Sequence, residues 1–292
     1  MKQVQFTNTP LPFLLLAPQV IIVSIFFFWP AFWALWKSLF VEDPFMGNAI
    51  FTGLDNFMML FEDSSYWGTF AYTLLFSLIV SLGALSVAMV LAVNANAIMH
   101  RQARNGYRSL IMWIYAVAPA LAGFVGASVF NQHFGTFTHM LQNMGIDFNI
   151  AQNGTHASIA IILMSIWKQV SVNFIFLLAG LQNIPNSVKE ASSLDCRSPM
   201  RRFWTITFPL LAPTNFFLLV INTTYAFFET FGVIDLMTFR GFPGGKTLVY
   251  EAYKAYRDQD YGGSAAQCVV LMIVVFLLTF IQFRFIERKI HY

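Results

Sequence analysis

Six stretches of this 292-residue sequence are long and apolar enough to cross a lipid bilayer as helices. Crossing about 30 Å of hydrocarbon takes about 20 helical residues. The composition agrees, because 57% of the residues are hydrophobic and only 11% are charged. We therefore predict an all-α integral membrane protein with about six transmembrane helices, in which residues 1–292 form one membrane domain. The predicted spans are residues 13–40, 70–93, 110–130, 159–181, 210–234 and 265–286.

Three of these spans contain proline, at positions Pro18, Pro30, Pro119 and Pro213. Proline removes a backbone donor and bends a helix. Because lipid cannot replace the lost hydrogen bond, we expect these helices to be kinked and packed against neighbours.

Basic residues are concentrated in two connecting segments and in the C-terminal tail, which predicts the orientation of the chain. These segments contain Arg101, Arg104 and Arg108; Lys189, Arg197, Arg201 and Arg202; and Arg284, Arg288 and Lys289. We place them in the cytoplasm, together with both termini. The net charge of only +3 is spread along the chain, which argues against nucleic-acid binding. The two cysteines, Cys196 and Cys268, suggest neither a metal site nor a disulfide framework.

The segment 182–209, between the fourth and fifth spans, is polar and has its own helix signals. Pro185 and Asn186 are suited to opening a helix, and Ser198 is suited to capping a second one with Pro199 in its first turn. We therefore predict a helix–turn–helix on the cytoplasmic side. Its docking face would consist of Ala191 and Leu194, surrounded by Glu190, Asp195, Arg201 and Arg202.

This segment resembles the coupling loop of a known family. The run Glu190-Ala191-Ser192-Ser193-Leu194-Asp195 is similar to the Glu-Ala-Ala loop of ABC importer permeases that work with a solute-binding protein. Further similarity lies in Trp167-Lys168-Gln169, Ala179-Gly180-Leu181-Gln182 and Phe208-Pro209-Leu210-Leu211, which resemble the maltose-type, carbohydrate-uptake branch. Within that branch, Tyr115-Ala116-Val117-Ala118-Pro119 and Tyr225-Ala226-Phe227-Phe228-Glu229 are most similar to permeases of glycerol-3-phosphate importers. Cys196 and Arg197 depart from the family, which usually has Gly and Ala there.

The resemblance implies a type I ABC importer permease fold with a core at about residues 66–286 and a coupling loop at 182–209. It also implies a non-catalytic subunit that binds no cofactor, because ATP and magnesium would be held by partner ATPase subunits. The implied partners are a homologous permease, an ATPase dimer and a periplasmic binding protein, in a bacterial inner membrane. The implied cargo is sn-glycerol-3-phosphate or related glycerophosphodiesters.

Ionisable and polar side chains inside the spans are candidates for the solute path. Lys168 lies sixteen residues before Ile184, or about 24 Å along a helix, which places it in the outer half of the fourth span. There it would attract an anion, or it would snorkel or anchor a neighbouring backbone.

Two sets of polar residues each fall on one side of a helix. Gln169 and Asn173 are four residues apart, and Asn222, Tyr225 and Glu229 follow spacings of three and four. Each set either faces a solute passage or hydrogen-bonds to other helices. Glu229 is an awkward contact for an anionic cargo, which favours a structural or gating role for it.

Two other functions are consistent with a polytopic membrane protein. A sugar or oligosaccharide importer would share the same architecture. A secondary transporter would need paired hydrophobic repeats and acidic residues near the midplane. No internal repeat is evident, and Glu229 is the one acid well inside a predicted span.

Overall fold

The computed structural model describes residues 10–42, 49–98, 100–195, 198–238 and 244–286. Five helical stretches are long and apolar enough to span a membrane, and a bent helix pair makes a sixth. The prediction of about six spans is therefore confirmed. The five are Phe13–Lys37, Ser64–Ala97, Gly154–Asn183, Ala212–Thr238 and Tyr261–Arg284, and the bent pair is Arg101–Ala116 with Pro119–Val129.

Helices dominate the described chain, with one small sheet near its start. The first elements are α1 (Pro10–Val23), α2 (Trp29–Lys37), β1 (Phe40–Glu42), β2 (Ala49–Phe51) and α3 (Asp55–Glu62). The next are α4 (Ser64–Ala97), α5 (Arg101–Trp113), α6 (Pro119–Val129), α7 (Thr136–Asn143) and α8 (Gly154–Asn183). The last are α9 (Asn186–Asp195), α10 (Pro199–Arg202), α11 (Phe208–Leu210), α12 (Ala212–Thr224), α13 (Phe231–Thr238), α14 (Leu248–Arg257) and α15 (Tyr261–Ile281). Single π-helical turns occupy Ser24–Phe28, Phe203–Thr207, Tyr225–Glu229 and Gln282–Ile286.

The third span differs from the prediction of one kinked helix over residues 110–130. Helix α5 continues as a 3₁₀ turn at Ile114–Ala116, and α6 then starts at Pro119 after a bend of 101°. The cause is local, because a residue before proline is disfavoured in the helical region. Ala118 is accordingly extended, with φ −62° and ψ 147°. The span is broken there, which leaves carbonyl groups near the bend without helical partners.

The first span is shorter than the predicted 13–40. Its helix ends at Lys37, and Phe40 starts β1, which pairs antiparallel with β2 and lies opposite Phe51. None of the apolar window of this span is buried within the chain. Its surface is therefore left for lipid or for another subunit.

Contacts divide the chain into two compact units. The first comprises Met1–Tyr66 and Glu251–Met272, and the second comprises Trp67–Tyr250 and Ile273–Tyr292. The assignment of residues 1–292 to one permease domain stays a prediction.

In the first unit, Asn56 of α3 fixes the chain that follows α2. Its buried amide donates to the carbonyl oxygens of Ser38 at 2.8 Å and Phe40 at 3.0 Å. Just before α4, the Asp63 carboxylate accepts hydrogen bonds from the Ser65 hydroxyl and from its backbone N–H, each at 2.8 Å. These bonds, the hydroxyl first, hold the pKa of the Asp63 carboxyl below its usual value.

The second unit contains two apolar clusters that hold the spans together. One joins α4, α6, α8 and α13, and the other joins α4, α5, α8 and α12. Helices α6 and α13 approach closely at Gly123, where an added Cβ would lie 2.8 Å from the Val233 carbonyl oxygen. Small residues of this kind let membrane helices pack backbone to backbone.

Candidate functional site

Three buried amide side chains join α4, α8 and α12. Asn222 Oδ1 accepts from Gln169 Nε2 at 2.9 Å and from Asn173 Nδ2 at 3.1 Å. Asn222 Nδ2 donates to Asn173 Oδ1 at 3.1 Å and to the Ser81 carbonyl oxygen at 3.3 Å. Asn173 and Asn222 have no exposed surface, and Gln169 is 4% exposed. We call Ser81, Gln169, Asn173 and Asn222 the amide cluster.

The amide cluster bears on the two roles predicted for the sets of polar residues on α8 and α12, which were to face a solute passage or to hydrogen-bond to other helices. The side chains of Gln169, Asn173 and Asn222 are used for hydrogen bonds between helices of this subunit. An amide that is satisfied in this way holds helices at a fixed distance. A role for Asn173 and Asn222 in the substrate path stays a prediction.

A cavity of about 590 Å³ lies beside the amide cluster. It is bounded by the break between α5 and α6, by α8, and by α12 with the π turn that follows it. Four of the six predicted path residues line this cavity, which we call the charged cavity: Lys168, Gln169, Tyr225 and Glu229. Tyr115 and Pro119 line it on the side of the broken span.

Lys168 reaches across to the broken span. Its Nζ donates to the carbonyl oxygen of Tyr115 at 3.2 Å and lies 5.4 Å from the centre of the Tyr115 ring. Although Lys168 is only 8% exposed, it lines the cavity wall. The ammonium group therefore satisfies a carbonyl next to the bend and also places a positive charge at the cavity. Both readings of Lys168, a backbone anchor and an anion contact, are compatible with this position.

The π turn Tyr225–Glu229 brings its two end residues to the charged cavity. The turn is closed by the Thr230 N–H, which donates to the Tyr225 carbonyl oxygen at 3.2 Å. Tyr225 is buried and its hydroxyl donates to the Ser165 carbonyl oxygen at 3.4 Å, whereas Glu229 is exposed. The Glu229 carboxylate and the Lys168 ammonium group therefore place opposite charges at the same cavity. Single π turns of this kind recur at functional sites.

The two helices predicted between the fourth and fifth spans are confirmed as α9 and α10. Ser198 holds the N-cap position of α10, but its side chain makes no capping bond, and its carbonyl oxygen accepts from the Arg202 N–H at 3.0 Å. Glu190 and Ala191 are exposed on α9, as a docking face requires. The side chains of Leu194 and Asp195, and all of Cys196 and Arg197, lie outside the described residues.

The inner side of α9 packs over a cavity of about 410 Å³. Val188, Lys189 and Ser192 line it from α9, and Arg202 and Phe203 line it from the segment that follows. Arg201 is exposed, while Arg202 is half-buried. Glu190, Ala191 and Arg201 are therefore the exposed residues of the predicted docking face, whereas Arg202 borders this cavity.

Sequence reasoning missed three features of the site: the Tyr115 carbonyl, the Ser81 carbonyl and the π turn. A backbone acceptor has no residue-type signal, so the Ser81 carbonyl was not identifiable. The residues before Pro119 did carry a signal, because an X–Pro step predicts a non-helical residue and unpaired carbonyls nearby. Within the described ranges, no group of three or more His, Cys, Asp or Glu residues is arranged to hold a metal ion.

Comparison with known proteins gives consistent matches over the whole chain. Residues 84–292 match the family described as "Binding-protein-dependent transport system inner membrane component". The chain is 46% identical to the sn-glycerol-3-phosphate transport system permease protein UgpA of Rhizobium meliloti (strain 1021), over 100% of both chains. It is 45% identical to the protein of the same name from Escherichia coli (strain UTI89 / UPEC), over 98% of this chain and 97% of that one.

Solved structures give the same fold. The chain matches a subunit of a bacterial ABC transporter involved in the import of the acidic polysaccharide alginate, with a TM-score of 0.79 and 19% identity over 95% of each chain. A second structure, of a bacterial alginate ABC transporter in complex with alginate pentasaccharide-bound periplasmic protein, also gives a TM-score of 0.79. The predicted ABC importer permease fold of type I is thereby confirmed. The chain belongs to the family of binding-protein-dependent transport system inner membrane components.

Proposed function

We propose that this chain is one of two permease subunits of an ATP-driven importer for sn-glycerol-3-phosphate or related glycerophosphodiesters. The observation that carries this proposal is the full-length identity of 46% to a permease of that named transport system. The charged cavity supports it, because Lys168 offers a positive charge to a phosphate group inside a span.

The proposed partners follow from what this chain contains and what its family does. A homologous permease would enclose the passage together with this chain, and a periplasmic binding protein would deliver the cargo. Two ATPase subunits would hold ATP and magnesium beneath the membrane, and α9 would transmit their closure to the spans. In this arrangement the basic connections and both termini lie in the cytoplasm.

The cargo is tested by uptake into proteoliposomes that contain the complete complex, with the binding protein and ATP supplied. We expect accumulation of labelled sn-glycerol-3-phosphate, and unlabelled glycerophosphodiesters should compete with it. A neutral disaccharide should compete at least about tenfold less well, because it gains nothing from the Lys168 charge. Preferential uptake of the disaccharide would reject this cargo and favour a sugar importer.

A further inference from the structure

The charged cavity contains one positive and one negative side chain. Its titratable lining residues, in the described part of the chain, are Lys168 from α8, Tyr115 from the broken span, and Tyr225 and Glu229 from the π turn. Tyrosine is uncharged at neutral pH. The lining therefore has a net charge of zero when Lys168 and Glu229 are both ionised.

The two charges are held apart. Lys168 Nζ is bound to the Tyr115 carbonyl and lies over the Tyr115 ring, while Glu229 is exposed at the end of the π turn. Among the described residues, no ion pair joins them, although their charges interact. A cargo that enters the cavity thus meets both an attractive and a repulsive charge.

This arrangement treats singly and doubly charged phosphates differently. The dehydration penalty of an ion grows with the square of its charge in a continuum description, so a dianion loses far more hydration energy than a monoanion. Attraction to Lys168 grows only in proportion to the charge, and repulsion by Glu229 grows with it. The second negative charge is therefore not offset by this cavity.

We propose that Glu229 is a specificity-determining residue that makes the charged cavity prefer a monoanionic phosphate cargo over a dianionic one. The proposal rests on the function proposed above and deepens it. A phosphodiester has one negative charge across the working pH range. A phosphate monoester has one charge below about pH 6 and two above it, since its second pKa is about 6.

The test compares a monoester with a diester as pH changes. The complete complex is reconstituted with saturating binding protein, and ATP-driven uptake of sn-glycerol-3-phosphate and of a glycerophosphodiester is measured at external pH 5 to 7.5. In the wild type, the ratio of monoester to diester uptake should fall roughly fivefold as pH rises through about 6. In Glu229→Gln the ratio should fall at most about twofold, because the repulsion is removed and only the dehydration penalty of the second charge remains. In Glu229→Asp the ratio should fall as in the wild type.

One further variant and two control measurements keep the result unambiguous. Every variant is measured with the same binding protein. The pH dependence of the binding protein therefore cancels when the uptake ratio of a variant is divided by the uptake ratio of the wild type. Lys168→Gln gives the cavity a net negative charge and should reduce uptake of both cargos at least about tenfold. Size-exclusion profiles and basal ATP hydrolysis establish that each variant complex is assembled.

The outcomes separate this inference from the proposed function. If the wild type and Glu229→Gln transport both cargos with the same pH profile, Glu229 does not select charge, although the complex is still a phosphate-cargo importer. Loss of both cargos in Glu229→Gln alone would also overturn the inference, because it would show a structural requirement. Absence of any phosphate-cargo uptake by the assembled wild type would reject the proposed function itself and this inference with it.

Discussion

Replacing Glu190 with Lys should reduce ATP-driven uptake at least about tenfold while the complex stays assembled. Glu190 is exposed on α9, and its backbone carbonyl oxygen accepts a hydrogen bond from the Ser193 hydroxyl at 2.7 Å. The substitution therefore leaves the packing of this subunit intact. It reverses the charge on the surface that we propose docks into the ATPase subunit, where a wrong charge costs several kcal/mol. The measurement is uptake per ATP hydrolysed in proteoliposomes.

A matched charge reversal provides the control for Glu190→Lys. Glu62 is also exposed and lies on helix α3, outside the coupling loop, so Glu62→Lys makes the same chemical change elsewhere. We expect near-normal coupling in Glu62→Lys and an intermediate loss in Glu190→Gln. Normal uptake in Glu190→Lys would remove the role assigned to α9.

Replacing Asn222 with Leu should destabilise the assembled complex by about 2 to 4 kcal/mol. The substitution removes hydrogen bonds to Gln169, Asn173 and the Ser81 carbonyl and leaves these buried groups without partners. Leucine branches at Cγ like asparagine and is similar in size, so the change reports mainly the lost hydrogen bonds between α4, α8 and α12. Thermal unfolding in detergent, followed by the loss of the monodisperse complex on size exclusion, measures the change.

The neighbouring residue Thr224 supplies the control for Asn222→Leu. Its hydroxyl makes only a local bond to the Val220 carbonyl oxygen at 3.2 Å, and the residue is exposed. Thr224→Val should therefore change stability by less than about 0.5 kcal/mol. Equal stability of the two variants would mean that the amide cluster does not hold the helices together.

The spans and the coupling loop were predictable because each has a strong local cause. Twenty apolar residues can span a bilayer whatever their neighbours are, and proline and serine mark the starts of α9 and α10. The break at Pro119 was only partly predictable. Proline predicts a bend there but not its size, nor the contact with Lys168, which lies on another helix and binds the freed Tyr115 carbonyl. Sequence spacing does not contain that contact.

The candidate site was predictable as a set of residues but not as an arrangement. Helical spacing placed Asn222, Tyr225 and Glu229 on one side of a single helix. In the structure, Asn222 joins the amide cluster while Tyr225 and Glu229 line the charged cavity. Spacing along one helix places residues on a common side, but it does not say which neighbouring helices or cavities each of them meets.

The central claim is that this chain moves solute only as part of an ATP-driven assembly, and a comparison of two kinds of proteoliposome tests it directly. One kind contains this chain alone, and the other contains the chain with its sister permease, the ATPase subunits and the binding protein. We expect accumulation of labelled sn-glycerol-3-phosphate only in the second kind, and only when ATP is supplied. Accumulation by the chain alone, driven by an ion gradient without nucleotide, would contradict the account and identify a secondary transporter.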